Sequence, residues 1–317
     1  IGSWHDVGDV KALSHARRHN FLSRSFNHLS LDQFGRVIKI VAEDQVDEIN
    51  MLVARPGIKS IWPEVYDAKV TSVAMEFIDL PTLAELYLFW PGLPDMWAYI
   101  LQDFHARMQV GLWLEPRHGG AAARAERMYC EKMMARFNEW EHPVKKHEVL
   151  RINDITYRAG EPLLAKFHRY LKLDVAPNAE LASIHGDLNF SNILYSLGTG
   201  TFKLVDPRGN WGGEGWAGDQ RYEIAKLRYS YADHFCSITH GLFECYQDEE
   251  EITLRFGPER EEERLAMDRV LLQFGYDIRH IKAIEASIFL SAMPLHDGLE
   301  QVALYAQGVK LANEVLG

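Results

Sequence analysis

The hydrophobic residues up to position 80 are spaced as in a small β-rich unit. Apolar residues lie on both sides of a turn sequence at 32–35, and the spacing becomes helical only after residue 44. Asp79-Leu80-Pro81 then marks a boundary. The predicted elements are a hairpin over 20–40, a helix over 44–54, and two short strands over 62–66 and 70–78.

Beyond residue 83 the apolar period is helical, with one interruption. Between 181 and 206, short apolar runs frame a polar loop, which indicates strands on either side of it. Helical spacing is found over 96–110, 121–140, 222–246 and 261–316. The pattern therefore predicts an α+β fold, with a small β-rich region followed by a large, mainly helical region.

The polar loop carries the residues that could do chemistry. Its sequence at 185–192 is HGDLNFSN, and Asp206 follows the next apolar run. Asp187 could accept the proton of a substrate hydroxyl, while Asn192 and Asp206 offer the hard oxygen ligands that Mg2+ prefers. These groups suffice for phosphoryl transfer, in which positioning and charge neutralisation dominate.

The same loop resembles the catalytic loop of the aminoglycoside phosphotransferase and choline kinase family, which has the protein-kinase-like fold. His185-Gly186-Asp187 with Asn192 matches the catalytic loop, and Val205-Asp206 matches the metal-binding strand end. Residues 218–227 are similar to the helix that follows the metal site, and 74–79 resemble the hinge between the lobes. The resemblance implies two lobes: 1–79 would bind the nucleotide, and 80–317 would carry the catalytic loop and the acceptor pocket.

The resemblance also assigns residues to ATP. Lys39 occupies the position of the strand lysine that contacts the phosphates, and Glu48 on the next helix would hold it in place. The backbone from Glu76 to Ile78 would pair with adenine. The turn around Ser25 would cover the phosphates, although it lacks the glycines of a protein-kinase loop.

The implied activity is ATP- and Mg2+-dependent phosphorylation of a hydroxyl on a small molecule, such as a sugar, an amino alcohol or an aminoglycoside. One alternative is a non-catalytic nucleotide-binding protein of the same fold. A protein kinase is a further alternative, disfavoured because only twelve residues separate Asp206 from Asp219. Trp211 and Trp216 would either line the acceptor pocket or pack the loop onto the helical region.

Several other polar residues are interpreted as structural. His185 would brace the catalytic loop, and Asp219 would cap a helix. Zinc binding is disfavoured for the His and Cys residues predicted to lie on one apolar helix, because such residues are usually core and their spacing matches no zinc pattern. These residues are His234, Cys236, His240 and Cys245.

Composition narrows the class of protein further. The 317 residues are 47% hydrophobic and 25% charged, as in globular proteins, and the net charge of −11 disfavours binding to nucleic acid or an anionic membrane. No apolar run approaches the ~20 residues of a spanning helix. Three cysteines are an odd, sparse set, which favours a reducing compartment and a cytoplasmic location. The negative charge is compatible with a cationic acceptor, and nothing in the sequence indicates an oligomeric state.

Overall fold

The computed structural model describes residues 27–90, 92–114, 119–257 and 260–317. Its N-terminal part is a four-stranded antiparallel sheet in the order β1-β2-β4-β3, with α1 between β2 and β3 in the chain. The elements are β1 (Asn27–Leu31), β2 (Val37–Val41), α1 (Val46–Ala54), β3 (Val65–Lys69) and β4 (Ser72–Met75). The predicted hairpin and helix are confirmed.

The turn and the core of this sheet follow from the sequence pattern. Asp32 closes the β1–β2 turn, because its Oδ1 accepts the backbone N–H groups of Phe34 and Arg36, both at 2.9 Å. Ile49 and Leu52 of α1 are buried against the apolar face of β2 and β4. β3 begins three residues later than the strand predicted over 62–66, since the Trp62 N–H donates to the carbonyl of Lys59 and ends a 3₁₀ turn instead. β4 lies within the predicted 70–78 and is shorter.

The remaining described chain is mainly helical. A π-helical turn, Arg127–Glu131, joins α4 to α5. The helices are α2 (Leu83–Phe89), α3 (Pro94–Gly111), α4 (Ala121–Glu126), α5 (Lys132–Glu139), α6 (Gly160–Tyr170), α7 (Gln220–Tyr231), α8 (Phe235–Thr239), α9 (Glu261–Gln273), α10 (Ile278–Ala292) and α11 (Leu299–Leu316). A small β-rich region therefore precedes a large helical one, as predicted, while the boundary at 79/80 remains a prediction.

Eight further strands interrupt the helices in the described part of the chain. They are β5 (Val149–Ile152), β6 (Ile155–Arg158), β7 (Leu181–Ser183), β8 (Ile193–Tyr195), β9 (Phe202–Leu204), β10 (Ala217–Asp219), β11 (Phe243–Asp248) and β12 (Glu251–Phe256). β7 pairs with β10, and β8 pairs with β9. These two small ladders confirm the strands predicted around the polar loop.

A four-stranded sheet, in the order β11-β12-β5-β6, was not predicted. The helix predicted over 222–246 is wrong beyond residue 239, because α8 ends there and β11 follows. Ile252 and Leu254 point inward while their neighbours are exposed, which is the period of a strand and not of a helix. Glu249, with φ of 48°, turns the chain between β11 and β12. No described helix combines the length and apolarity needed to cross a membrane.

Candidate active site

Apolar anchors fix the polar loop at 185–192 between β7 and β8. Leu188 and Phe190 are buried in the core of the helical region. The backbone N–H of Phe190 donates to Ser230 Oγ on α7 at 3.0 Å. With its ends held in this way, the loop presents Asp187, whose side chain is 28% exposed, to the solvent side of the site.

Asn192 and Asp187 are in direct contact. Asn192 Nδ2 donates to the backbone carbonyl of Asp187 at 2.8 Å and to its Oδ2 at 3.3 Å. Both contacts use the amide nitrogen, so the Oδ1 oxygen of Asn192 is left for another partner. An amide oxygen in this position is a suitable Mg2+ ligand.

Asp206 joins this pair through the backbone. The N–H of Val205 donates to the carbonyl of Asn192 at 3.0 Å, which places the two predicted metal ligands on neighbouring strand ends. Asp206 has φ of 60°, a left-handed conformation that non-glycine residues seldom adopt and that often marks functional sites. The structure thus brings Asn192 into contact with Asp187 and puts Asp206 on the neighbouring strand end, while metal binding stays a prediction.

Lys39 links the N-terminal sheet to that site. The lysine is 3% exposed on β2, and its Nζ contacts carboxylate oxygens of both Glu48 and Asp206. Burial alone would lower its pKa, but the two carboxylates outweigh burial and raise the pKa of Lys39. The lysine is therefore a charged group at neutral pH.

Glu48, on α1, contacts Lys39 as well. Burial, together with the negative charge of Asp206, raises the pKa of Glu48 to about 8, although Lys39 opposes the shift. The charges of Lys39, Glu48 and Asp206 are thus coupled, and a cation bound at Asp206 would change this coupling. The predicted pairing of Lys39 with Glu48 is present in the structure.

The loop after Asp206 packs against α1. Asn210 Nδ2 donates to Asp47 Oδ2 at 2.8 Å. Gly209 has φ of 75°, and a Cβ at this position would lie 2.0 Å from the backbone oxygen of Asp47. Only glycine permits this approach, so the loop fixes the helix that carries Glu48.

The predicted hinge has a free backbone donor. The N–H of Glu76 is used, since it donates to the carbonyl of Glu64 at 2.8 Å. Within the described residues, the N–H of Ile78 donates to no other group. The Glu76 side chain pairs with Lys203 at 3.3 Å, which fixes the start of the segment. Adenine pairing by this segment remains a prediction, and Ser25 lies outside the described residues.

Glu223, a buried residue on α7, was not singled out from the sequence. Its carboxylate accepts the backbone N–H groups of His185 at 2.8 Å and Gly186 at 2.9 Å. Burial raises the pKa of Glu223 to about 7, against the effect of these two donors. In the sequence, its position within the 218–227 segment was the one indication of a role for Glu223. The fold is needed to show which loop its carboxylate contacts.

His185 braces the loop, as predicted. Its Nε2 contacts the carbonyl of Val205 at 2.9 Å, and its ring stacks on Trp62 with centroids 5.9 Å apart. Burial lowers the pKa of His185 to about 4, so the ring is neutral and Nε2 carries the donated proton. Lys226 on α7, also missed from the sequence, pairs with Asp187 Oδ1 at 2.9 Å.

Trp211 and Trp216 were expected either to line the acceptor pocket or to pack the loop, and the structure decides between these alternatives for Trp211. Trp211 is fully buried against Tyr129 and Tyr222, so it packs the loop and does not line a pocket. Trp216 is partly buried against the same core. Asp219 caps α7 by accepting the N–H of Arg221 at 2.9 Å, as expected.

The His and Cys residues that were predicted to share a helix do not share one. His234 precedes α8 and has φ of 65°, Cys236 lies on α8, His240 follows it, and Cys245 lies on β11. The helix prediction failed here because α8 ends before Gly241, whose φ is 68°. Among the described residues, no group of three or more His, Cys, Asp or Glu side chains could hold a metal ion.

Solved structures with a similar fold are known. No family model matches the chain, and no curated protein matches its sequence. A candidate fructosamine-3-kinase from Thermobifida fusca is 15% identical, with a TM-score of 0.51, and the match covers 92% of this chain and 91% of that one. APH(2″)-IIa in a ternary complex with streptomycin and ATP is 11% identical, with a TM-score of 0.53, and the match covers 97% and 98%. At these identities the likeness concerns the fold.

Proposed function

We propose that this chain, which has the protein-kinase-like fold of the two structures above, is an ATP- and Mg2+-dependent phosphotransferase acting on a hydroxyl group of a small molecule. One observation carries the proposal. Lys39, on the N-terminal sheet, contacts Asp206, which the backbone joins to Asn192 and so to Asp187. A phosphate-binding lysine, two oxygen ligands and a carboxylate base thus form one continuous site.

Each group has a distinct role in the proposed reaction. Asp187 orients the acceptor hydroxyl and takes its proton as the oxygen attacks the terminal phosphorus of ATP. Asn192 Oδ1 and the Asp206 carboxylate would hold Mg2+, which supplies positive charge to the phosphate oxygens. Lys39 neutralises phosphate charge from the sheet side. The acceptor ends as a phosphate monoester, and ADP is the leaving group.

ATP is the favoured nucleotide for two reasons. The free N–H of Ile78 and the carbonyl of Glu76 lie two residues apart on the segment that joins β4 to α2, where they would pair with the edge of an adenine. APH(2″)-IIa, which has a similar fold, was solved with ATP. Lys39 and Asp206 are already in contact, so nucleotide binding needs no large rearrangement of the sheet.

The protein-kinase alternative is weakened by the loop after Asp206. A regulated activation segment needs a long, movable chain, whereas this loop is short and anchored by the buried Trp211. The contact of Gly209 with Asp47 anchors it to α1 as well. These contacts favour a site that is assembled without a regulatory switch.

Detection of a phosphate monoester by 31P NMR tests the proposal. The protein is incubated with ATP and a panel of polyols, sugars, hydroxy acids and amino alcohols, with Mg2+ or with chelator. Mg2+-dependent formation of a monoester and ADP is expected. Tight MgATP binding with no transfer to any of these alcohols would favour the non-catalytic alternative.

A further inference from the structure

Four basic side chains lie near the proposed base, Asp187. Lys226 on α7 pairs with its Oδ1 at 2.9 Å. Arg208 follows the metal-binding segment, and its backbone N–H donates to the catalytic loop at 2.9 Å. Lys132 and Arg136 lie one turn apart on α5. Tyr129, three residues before Lys132, stacks on Tyr222, which lies one turn before Lys226 on α7, with ring centroids 6.3 Å apart. We call these four residues the basic cluster.

Arg208 lies directly against the turn that precedes the base. A Cβ at Gly186, which has φ of 85°, would lie 2.8 Å from the Arg208 Cβ. The arginine side chain therefore leaves the backbone beside the catalytic loop.

The cluster concentrates like charges. Burial and the positive charges of Arg208, Arg136 and Lys226 lower the pKa of Lys132 well below its usual range, while Asp187 opposes them. Burial and Arg208 also lower the pKa of Arg136. The net charge of the chain is −11, so the basic cluster is a local feature and does not follow from the overall composition.

Most of the cluster lacks an anionic partner. Within the described part of the chain, Lys132 forms no hydrogen bond or ion pair, and the Nε of Arg208 is buried without an acceptor. Arg136 donates only to a neutral group, the carbonyl of Ser291, at 3.1 Å. Partly buried cations without counter-charges are unfavourable, and a bound anion would relieve that cost.

We infer that the acceptor is an anion, namely a hydroxylated small molecule whose carboxylate or phosphate group binds Lys132, Arg136 and Arg208 while its hydroxyl faces Asp187. This inference rests on the proposed phosphotransferase function and narrows its substrate class. Arginine and lysine are the usual side chains that bind these groups.

The cluster fits the acceptor better than it fits ATP. The nucleotide residues Lys39 and Glu48 belong to β2 and α1, in the N-terminal part of the structure. Lys132 and Arg136 belong to α5, in the helical region that also contributes Lys226, the ion-pair partner of Asp187. The net charge of the chain is compatible with a cationic acceptor, but an ammonium group beside the basic cluster would be repelled.

Two matched series of probes test the inference by thermal shift in the presence of MgATP. The first compares glycerol with glycerate, glycerol 3-phosphate and serinol. The second compares glucose with glucuronate, glucose 6-phosphate and glucosamine. Within each series the hydroxylated skeleton is similar and the charge is neutral, carboxylate, phosphate or ammonium. Each probe is also measured with the Lys132→Gln and Arg136→Gln variants, and with Lys166→Gln, which changes an exposed lysine on α6.

In at least one series, the carboxylate or phosphate probe should bind about tenfold more tightly than the neutral and ammonium probes, as a charge-assisted hydrogen bond gives. Lys132→Gln and Arg136→Gln should remove that preference, and Lys166→Gln should keep it. The carboxylate and phosphate arms identify which anion is preferred. Equal binding of all charges, or preference for serinol or glucosamine, while MgATP still stabilises the protein, overturns the inference alone. Absence of any MgATP stabilisation overturns the proposed function itself.

Discussion

The carboxylate of Glu223 binds the backbone of Gly186, whose N–H it accepts at 2.9 Å through Oε1, while Oε2 accepts the N–H of His185 at 2.8 Å. One side chain from α7 thus holds the two residues that precede Asp187. Because Gly186 has φ of 85°, the turn bends sharply there and exposes two backbone donors to the interior. The position of the proposed base, Asp187, therefore depends on Glu223, which lies 36 residues later in the sequence.

Substitution of Glu223 by Gln should weaken both the fold and the site. The glutamine side chain has an oxygen and an NH2 group in place of the two carboxylate oxygens. The NH2 group would face one of the two backbone N–H groups of the loop, which would lose its acceptor. We expect the free energy of unfolding to fall by about 1–3 kcal/mol and turnover to fall by about tenfold or more. Denaturant unfolding and steady-state kinetics measure the two effects. Glu161→Gln, at an exposed site on α6, is the matched control, and equal behaviour of the two variants would contradict the role given to Glu223.

Substitution of Gly209 by Ala should separate α1 from the metal-binding loop. Its Cβ would meet the Asp47 backbone oxygen at 2.0 Å, so α1 must shift and carry Glu48 away from Lys39. The KM for ATP should rise by about tenfold, and the melting temperature should fall. Gly275→Ala is the control, because Gly275 also has positive φ, of 83°, but a Cβ there meets nothing within 4 Å. An unchanged KM in Gly209→Ala would show that the loop does not position α1.

Replacement of Asp206 by Ala should abolish the Mg2+-dependent part of nucleotide binding. A single amide oxygen from Asn192 is a weak ligand for a cation that requires octahedral oxygen coordination. Thermal shift with MgATP is compared with ATP plus chelator, and Asp44→Ala, at an exposed position before α1, is the control. If Asp206→Ala kept the wild-type difference between the two conditions, Asp206 would not be a metal ligand.

The buried imidazole of His105 should make stability depend on pH. Burial lowers its pKa to about 4, whereas the ordinary value is about 6.5. Between these values the unfolded chain binds a proton that the folded chain does not, so the free energy of unfolding should fall as pH is lowered through this window. His105→Phe should reduce the slope by up to about 1.4 kcal/mol per pH unit. Urea unfolding from pH 4 to pH 7 measures it, and identical slopes would contradict the shift.

The sequence predicted best those parts of the molecule that depend on local pattern. The β1–β2 hairpin followed from the turn at Asp32 and the alternation around it, and the contact of Lys39 with Glu48 was implied by the family resemblance. Asp187, Asn192 and Asp206 were also assigned to one loop and one strand end. Each of these features is encoded within a short stretch of chain or in a recognisable motif.

Features that depend on distant pairing were missed. β12 pairs in parallel with β5, about a hundred residues earlier. Each strand forms a local hairpin with its neighbour, β11 or β6, and neither hairpin indicates that distant contact. Arg228 is buried and pairs with Glu285 at 2.6 Å, although in the sequence both look like residues of an exposed helix face. The basic cluster was hidden for the same reason, because its members come from three separate segments and the net charge of the chain has the opposite sign.

The central claim is that Asp187 acts as the base in phosphoryl transfer to an alcohol, and the Asp187→Asn variant tests it most directly. MgATP affinity, measured by titration calorimetry, should stay within about threefold of wild type, and the single-turnover rate of monoester formation should fall by about 10² to 10⁴. A variant that transfers phosphate at the wild-type rate would contradict the assignment of Asp187 as the base.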